Sequence, residues 1–237
     1  MKTYKYFLFA IIISFLTWGC NSKQEVEVLH SGALMELMSG NLGATVSLND
    51  LATKDHLYAL GALEQLQGEI LVMDGAVYVS TVNDSTVRMS NGWGQKAALL
   101  VYSEVANWIE VEIPPDLKVQ KDLEAFVKGI AGTLGIDTDK PFPFLLEGEV
   151  ERLDWHVINW DVTDKVHTHE KHQNAGLNGK LTDEAVTILG FYSEAHKGIF
   201  THHSSNMHLH FKGIDGAIAG HVDDLVLSER MKLKLPL

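Results

Sequence analysis

Histidines near the C-terminus have the type and spacing that could hold a metal ion. His208 and His210 are separated by one residue in the segment MHLHF. Because side chains alternate along a β-strand, both rings would lie on one face, with their apolar neighbours on the other. If Asp215 and Gly216 form a two-residue hairpin turn, His221 lies directly opposite His210, and His208 lies within diagonal reach. Three imidazoles with open coordination positions are typical of a catalytic Zn²⁺ site, although other divalent ions accept such ligands.

Two alternatives are weighed against this site. The His-x-His pattern could arise by chance, because the sequence contains 12 histidines. A second set with metal-like spacing, His167, His169 and His172, lies in the polar segment 164–180. This segment is predicted to be a mobile loop, and no strand would fix the rings, so the set is interpreted as a solvated loop or a weak metal-scavenging site.

The remaining histidines are weaker candidates. His202 and His203 would point to opposite faces of an extended segment, so at most one of them could join the metal site. The others, interpreted as ordinary surface or core residues, are His30, His56 and His196.

The elements that would position these residues are mostly strands. Alternating runs joined by Asp74 and Gly75 predict a hairpin over residues 69–81. Further strands are predicted at 97–101, 108–113, 149–158, 185–192, 207–211 and 217–227. One short helix is predicted to be capped by Ser31 and to end near Gly40. A longer helix carries Leu123, Phe126, Val127 and Ile130 on one stripe and is predicted to end at Gly132.

These elements indicate an α+β protein with a division near residues 138–143. The N-terminal part, residues 29–140, is predicted to contain a mixed sheet. The C-terminal part, residues 141–237, is predicted to be mostly β and barrel-like, and to carry the metal site.

The N-terminus has the pattern of a signal peptide over residues 1–19. Lys2 and Lys5 precede an apolar run from Phe7 to Trp18, which is too short to cross a bilayer as a helix. The only cysteine, Cys20, follows a small residue, which is typical of a bacterial lipoprotein processing site. We therefore expect an exported protein with a lipid on Cys20 and a tether over residues 20–28, located in the periplasm or cell envelope.

Composition indicates a globular chain and excludes some partners. The 237 residues are 46% hydrophobic and 21% charged, and the net charge is −12. A strongly negative protein repels the phosphates of nucleic acid, so nucleic acid is not an expected partner. A single cysteine excludes an internal disulfide bond.

Three blocks of the sequence resemble acetolactate decarboxylase, from about Ser31 to Leu237. The first is ALGALEQLQGEILVMDGAVY at residues 59–78, and the second is LEGEVERLDWHVI at residues 146–158. The third is TILGFYSEAH at residues 187–196, which leads to the elements MHLHF and AGHV.

The resemblance implies a function and a site. Members of the family convert 2-acetolactate, a hydroxy-keto acid, to acetoin and CO₂ without an organic cofactor. The family's metal ligands, which usually bind zinc, correspond to His208, His210 and His221. The catalytic acid or base of its Gly-Glu element corresponds to Glu69. A homodimer is also implied by the resemblance alone.

Two positions depart from the family pattern. His156 stands where the family has an active-site arginine, and we expect it to bind the substrate carboxylate in that residue's place. Arg152 would share its strand face but lie about 13 Å away, too far to substitute. The family's C-terminal tail returns a second glutamate to the site, whereas this sequence ends at Leu237. These departures leave an alternative function open, namely a surface lipoprotein that binds metal or a small ligand without turnover.

Overall fold

The computed structural model describes residues 26–237. The predicted signal peptide, Cys20 and most of the tether lie outside the described residues. Within residues 26–237, no helix has both the length and the apolar character needed to cross a membrane. The described chain forms two antiparallel β-sheets and three α-helices, which confirms the predicted α+β class.

The first sheet is built from strands in the N-terminal half of the chain. Its strands are β1 (Val28–Ser31), β2 (Val46–Ser47), β3 (Leu57–Leu63), β4 (Glu69–Met73), β5 (Ala76–Asn83), β6 (Thr86–Ser90) and β7 (Lys96–Glu104). The spatial order is β1-β7-β3-β4-β5-β6, with β2 paired to β7. The pairings among these described strands are antiparallel, so the prediction of a mixed sheet was wrong. Short connections such as the Asp74–Gly75 turn favour antiparallel neighbours, because a parallel pair needs a long crossover.

The second sheet carries the predicted metal ligands. Its strands are β8 (Trp108–Glu112), β9 (Phe142–Ile158), β10 (Gly176–Tyr192), β11 (Met207–Gly213), β12 (Ala219–Leu227) and β13 (Lys232–Pro236). The order is β10-β11-β12-β9-β13-β8, and β9 also pairs with β10 along most of its length. The division near residues 138–143 stays a prediction, although β8, which precedes it, belongs to this sheet.

The hairpin between β11 and β12 has the predicted register but a longer loop. The backbone N–H of Gly213 donates to the carbonyl oxygen of Ile218 at 2.9 Å. Asp215 and Gly216 therefore form the centre of a four-residue loop rather than a two-residue turn. The register is the predicted one because a four-residue loop and a two-residue turn are both centred between Asp215 and Gly216.

Buried side chains separate the molecule into layers. One apolar cluster, which includes Leu60 and Leu71 of the first sheet and Leu145 and Phe191 of the second, lies between the sheets. A second cluster covers the outer face of the first sheet. The third covers the outer face of the second sheet, where helix α2 (Gln120–Thr133) packs. The alternation of each strand thus decides which side chains reach the space between the sheets.

The helices differ in detail from the predicted ones. Helix α1 (Leu34–Met38) follows Ala33, whereas Ser31 ends β1, so the predicted serine cap was wrong. Helix α2 continues past Gly132 to Thr133, and the chain reverses at Gly135. The φ of Gly135 is +78°, a conformation that glycine adopts without strain.

The segment 164–180 is more ordered than predicted. Helix α3 (His169–Asn174) begins after Thr168, whose side chain accepts a hydrogen bond from the backbone N–H of Lys171 at 3.1 Å. Strand β10 then starts at Gly176. The prediction of a mobile loop was therefore wrong, because a side-chain cap and pairing with a distant strand compensate for the polar composition.

Candidate metal centre

The three predicted metal ligands converge on one face of the second sheet. Met207 and Leu209 of β11 pack into the cluster behind the sheet. His208 and His210 therefore face the first sheet, as the alternation predicted. His210 pairs directly with His221 of β12, which confirms the predicted register.

The spacing of these three rings fits a shared ion. The ring centroids are 5.0 Å apart for His208 and His210, 5.2 Å for His208 and His221, and 5.4 Å for His210 and His221. Zn²⁺ bound tetrahedrally by imidazole nitrogens at about 2.0–2.1 Å would hold the centroids about 5 Å apart. The ring centroids are thus at a separation compatible with the coordination of one ion.

The ring nitrogens are available as ligands. Nδ1 of His208, both nitrogens of His210 and Nδ1 of His221 are buried and make no hydrogen bond of normal geometry to any described residue. Buried polar atoms in proteins are nearly always satisfied, so these nitrogens indicate a binding role. Burial, together with the neighbouring imidazoles, lowers the pKa of His208 and of His210 well below the ordinary value. Both rings are therefore neutral at pH 7, the form that binds a metal.

Glu69 faces the imidazoles from the first sheet. It lies on the same face of β4 as Leu71, which packs between the sheets. Its Oε2 is 3.7 Å from Nε2 of His210, and its Oε1 is 3.8 Å from Nε2 of His156. The backbone N–H of Ile158 donates to Oε1 at 3.3 Å.

The carboxyl group of Glu69 is poised for proton transfer. Its side chain is buried, and burial raises its pKa from 4.5 to about 7, while the charge of His156 and the hydrogen bond from Ile158 act in the opposite direction. A group whose pKa lies near the working pH is suited to general acid–base catalysis.

His156 is held by a carboxylate that sequence reasoning did not identify. Nδ1 of His156 lies 2.9 Å from each carboxylate oxygen of Asp223. Burial alone would lower the pKa of His156, but the hydrogen bond with Asp223 and the charge of Glu69 raise it above the ordinary value. Nδ1 of His221 lies 3.4 Å from Oδ1 of the same Asp223.

A β-bulge places Asp223 in the site. The pairing of β12 with β9 shifts between Val222 and Asp224, so Asp223 is an extra residue without a partner in the ladder. Val222 and Leu225 consequently both face the core behind the sheet, although they are three residues apart. Bulges often reorient side chains next to active sites. A bulge has no sequence signature that simple alternation could have revealed.

A second set of ligand atoms overlaps the first. Ligand atoms of His156, His221 and Asp223 all lie within 4.8 Å of one another, close enough to share an ion. The described residues therefore offer two candidate arrangements with His221 in common. Nδ1 of His221, which both arrangements share, is unsatisfied, as are three nitrogens of His208 and His210, whereas Nδ1 of His156 already has a hydrogen-bond partner.

These groups line a cavity of about 490 Å³ between the sheets. Glu69, His156, His208 and His221 form its polar side. The apolar residues that line it include Leu37, Leu66, Ile158 and Phe200. Among the described residues that line it there is no lysine or arginine. The cavity can therefore exclude water on its apolar side while it presents imidazoles and a carboxyl group on the other.

Four of the histidines that ranked low in the sequence also line this cavity: His169, His172, His202 and His203. The rings of His169 and His202 are in contact, with centroids 3.9 Å apart. This separation is too short for two ligands of one ion, by the same geometric criterion of about 5 Å. The expectation that at most one of His202 and His203 joins the metal site stays a prediction.

His167 and His172 are ordered by an aromatic side chain. Nδ1 of His167 lies 2.9 Å from Nε2 of His172. The ring of His167 stacks on Trp160, with centroids 4.6 Å apart, and His172 contacts Trp160 edge-on at 4.7 Å. His167 and His172 are therefore partly buried by a tryptophan rather than solvated, whereas His169 is exposed. A weak metal-scavenging role of the set stays a prediction.

The other histidines have partners of their own. Nδ1 of His56 pairs with Asp74 at 2.8 Å, and Nδ1 of His196 lies 2.7 Å from Oγ of Ser193. Nδ1 of His30 lies 3.4 Å from the carbonyl oxygen of Gly32. None of these three histidines lines the cavity of the described structure, in keeping with their interpretation as ordinary residues.

Arg152 does not reach the site. Its guanidinium forms an ion pair with Asp154 at 3.3 Å and a second with Asp224. These partners hold it outside the cavity lining. The expectation that Arg152 cannot take the place of the family's arginine agrees with this arrangement.

The sequence was compared with models of known protein families and with curated proteins. The model of the family described as alpha-acetolactate decarboxylase matches residues 28–236. No curated protein matches the sequence.

Solved structures share the fold. A Staphylococcus aureus protein, described as of unknown function and similar to alpha-acetolactate decarboxylase, is 19% identical, with 87% of this chain and 84% of that chain covered and a TM-score of 0.68. Alpha-acetolactate decarboxylase from Bacillus subtilis strain 168 is 17% identical, with coverages of 89% and 85% and a TM-score of 0.68. Acetolactate decarboxylase from Bacillus subtilis subspecies spizizenii is 17% identical, with coverages of 88% and 85% and a TM-score of 0.71.

Proposed function

The chain belongs to the alpha-acetolactate decarboxylase family, and from this premise we propose that it decarboxylates 2-acetolactate to acetoin and CO₂ with the help of a divalent metal. The observation that carries the proposal is the meeting of two sets of groups in one cavity. His208 and His221 of the second sheet and Glu69 of the first line this cavity, and the buried His210 lies 3.7 Å from Glu69. We assign the imidazoles as metal ligands and Glu69 as the catalytic acid.

The reaction needs help at two points. Loss of CO₂ from an α-hydroxy-β-keto acid leaves negative charge on the former ketone oxygen. His208, His210 and His221 would hold a divalent ion such as Zn²⁺, which would supply a Lewis acid for this charge, an effect worth several kcal/mol. The carbon that has lost CO₂ must then receive a proton.

Glu69 is the group that supplies this proton. It faces the imidazoles across the gap between the sheets, 3.7 Å from His210. In the metal-free protein, burial raises its pKa to about 7, so a large fraction of the carboxyl group is protonated at neutral pH. A positioned general acid of this kind contributes roughly 10² to 10⁴-fold to the rate. Delivery from one sheet only would place the proton on one face of the carbon.

His156 is assigned to the substrate carboxylate. Its Nδ1 is engaged by Asp223, so Nε2 is directed toward the side of the cavity where Glu69 lies. The hydrogen bond with Asp223 favours the charged imidazolium, which suits an anionic group. The apolar side of the cavity, including Leu66 and Phe200, then keeps water away from the reacting carbon.

The test is acetoin formation by the purified protein. Metal-free protein and protein loaded with Zn²⁺ are incubated with racemic acetolactate, and acetoin is measured against the spontaneous rate. Acetoin formation that depends on the metal supports the proposal. One bound ion per chain without acetoin above the spontaneous rate would refute it.

The second candidate function is metal or ligand binding without turnover. The observation that favours it is the cavity lining, which within the described residues contains no lysine or arginine for the substrate carboxylate. The same incubation separates the two functions, because a binder retains metal and forms no acetoin.

We further propose export and lipid attachment at Cys20, on the strength of the sequence pattern of residues 1–20. Mass spectrometry of the N-terminal peptide from the membrane fraction tests it, and an unmodified Cys20 would refute it. The homodimer implied by the family is tested by light scattering of the purified protein.

A further inference from the structure

We propose that Asp223 is a positioning residue that orients two imidazoles of the site at once. One of them is the proposed metal ligand His221, and the other is His156. The roles of the two imidazoles rest on the proposed function, whereas the orientation itself is measurable through metal binding and ring tautomers.

The argument begins with the hydrogen-bond capacity of a carboxylate. An ionised Asp accepts hydrogen bonds and donates none, so each of its partners must offer an N–H group. Asp223 contacts Nδ1 of His156 at 2.9 Å through both oxygens and Nδ1 of His221 at 3.4 Å. His156 therefore carries a proton on Nδ1. The contact with His221 is longer and lacks hydrogen-bond geometry, but a nearby carboxylate favours the same Nδ1–H tautomer in that ring.

In a neutral imidazole, a proton on Nδ1 leaves Nε2 with the lone pair that can bind a metal. Nε2 of His221 is left with its lone pair, and the rings of His208 and His210 lie 5.2 and 5.4 Å from the ring of His221. Metal-bound histidines commonly donate their other ring N–H to a carboxylate, which fixes the tautomer and orients the ring. Nε2 of His156 is directed away from Asp223 and toward Glu69 at 3.8 Å.

The backbone is built to bring this carboxylate to both rings. His156 and His221 are paired residues on neighbouring strands, with ring centroids 4.7 Å apart. In a regular strand, Asp223 would be one more residue of the ladder, but the bulge leaves it unpaired. Its side chain can therefore reach two residues that already lie side by side.

A fourth contact connects Asp223 to helix α3. Nε2 of Gln173 donates to Oδ1 of Asp223 at 3.3 Å. The carboxylate thus accepts hydrogen bonds from β9 and α3 and contacts β12 through His221. Such a shared acceptor fixes its own rotamer as well as the rings, and a rigid support of this kind is what precise metal sites require.

The matched variants are Asp223→Asn, Asp223→Glu and Asp224→Asn. The asparagine amide offers only one acceptor oxygen and turns an NH₂ group toward an Nδ1–H. We expect Asp223→Asn to weaken Zn²⁺ binding by about 10- to 100-fold, measured by competition with a chromophoric chelator. Its Co²⁺ form should show an altered visible absorption spectrum, and Asp223→Glu should restore part of the affinity. Asp224→Asn, which alters the exposed neighbour that pairs with Arg152, should bind both metals like the unmodified protein.

Several outcomes would overturn the proposal. Zn²⁺ affinity and a Co²⁺ spectrum unchanged in Asp223→Asn would show that the carboxylate does not orient His221. Two ions per chain, of which Asp223→Asn loses one, would show that His156, His221 and Asp223 are themselves ligands of an ion.

A measurement on the unmodified protein is independent of whether the variants fold. Nitrogen chemical shifts of histidine-labelled, metal-free protein should show Nδ1–H on His156 and His221, with Nε2 of His221 unprotonated. A proton on Nε2 of His221 with a bare Nδ1 would overturn the proposal. Neither binding nor tautomers depend on acetoin formation, so a loss of the proposed function leaves this test intact.

Discussion

Replacing Glu69 with glutamine should raise the stability of the metal-free protein at alkaline pH. The same substitution should lower the turnover of the Zn²⁺-loaded protein. The carboxyl group is 5% exposed, and its pKa is raised from 4.5 to about 7 by burial. Glutamine has nearly the same shape, and its amide oxygen can still accept the hydrogen bond from Ile158. The substitution therefore removes the cost of a buried charge and preserves the contact.

The size and sign of the effect follow from the two pKa values. Below pH 4.5 the carboxyl group is protonated in the folded and the unfolded protein, and ionisation does not affect stability. Between pH 4.5 and about 7 the unfolded chain loses the proton first, so stability falls as pH rises. At about 1.4 kcal/mol per pKa unit, the loss reaches about 3 kcal/mol above pH 7. Glu69→Gln should recover that amount near pH 8 and gain little near pH 4.

Urea unfolding of the metal-free proteins at these two pH values measures the difference in the free energy of unfolding. Glu64→Gln is the control, because Glu64 is exposed on the same connection between β3 and β4. An unchanged or lower stability of Glu69→Gln near pH 8 would refute the assigned burial cost. The Zn²⁺-loaded variant should keep its metal, and its kcat should fall by about 10² to 10⁴-fold. Unchanged acetoin production would remove Glu69 from the mechanism.

Three further predictions concern other residues of the site and its surroundings. His210→Ala should abolish retention of Zn²⁺ after gel filtration, and a full complement of metal in the variant would contradict the assigned ligand set. Arg152→Ala should leave acetoin production unchanged, because its ion pairs lie outside the cavity; a marked loss of kcat/KM would show that Arg152 reaches the substrate. Burial, with the charge of His167, lowers the pKa of His172 to about 4, so the metal-free protein should lose stability as pH falls from about 6.5 toward 4. Thermal unfolding of His172→Gln across this range should show a weaker pH dependence, and an identical slope would contradict it.

The placement of three histidines on one face of the β11–β12 hairpin could be predicted from the sequence. Alternation alone placed His208 and His210 on one face, and symmetry about the Asp215–Gly216 turn placed His221 opposite His210. Neither inference requires knowledge of the rest of the molecule, because both follow from local backbone geometry. The extra residues in the loop did not disturb the register.

Other parts of the site depend on contacts that no local pattern encodes. The partnership of Glu69 with the imidazoles requires the packing of one sheet on the other, and the sequence suggested it only through the family resemblance. Asp223 enters through a bulge, which is defined by the partner strand rather than by its own sequence. The order of His167 and His172 depends on Trp160. Polar composition gave no indication of that contact.

Helix α1 shows a similar limit at the level of secondary structure. Ser31 was a plausible cap by residue type, yet it is paired with Leu100 at the edge of the first sheet. Pairing with a strand about seventy residues away outweighed the local capping preference. Tertiary contacts commonly override propensity in this way.

The proposed acid and the proposed metal ligands lie on separate sheets, which are held together by apolar side chains and by the hydrogen bond from the backbone N–H of Ile158 to Glu69 rather than by a ladder of backbone hydrogen bonds. A small shift of one sheet relative to the other, or loosening of the apolar cluster between them, would separate Glu69 from the imidazoles. The backbone hydrogen bonds within each sheet would remain intact. The rate of acetoin formation would therefore report on the packing of the two sheets against each other. Acetoin formation should be lost at a lower denaturant concentration than the far-ultraviolet circular dichroism signal.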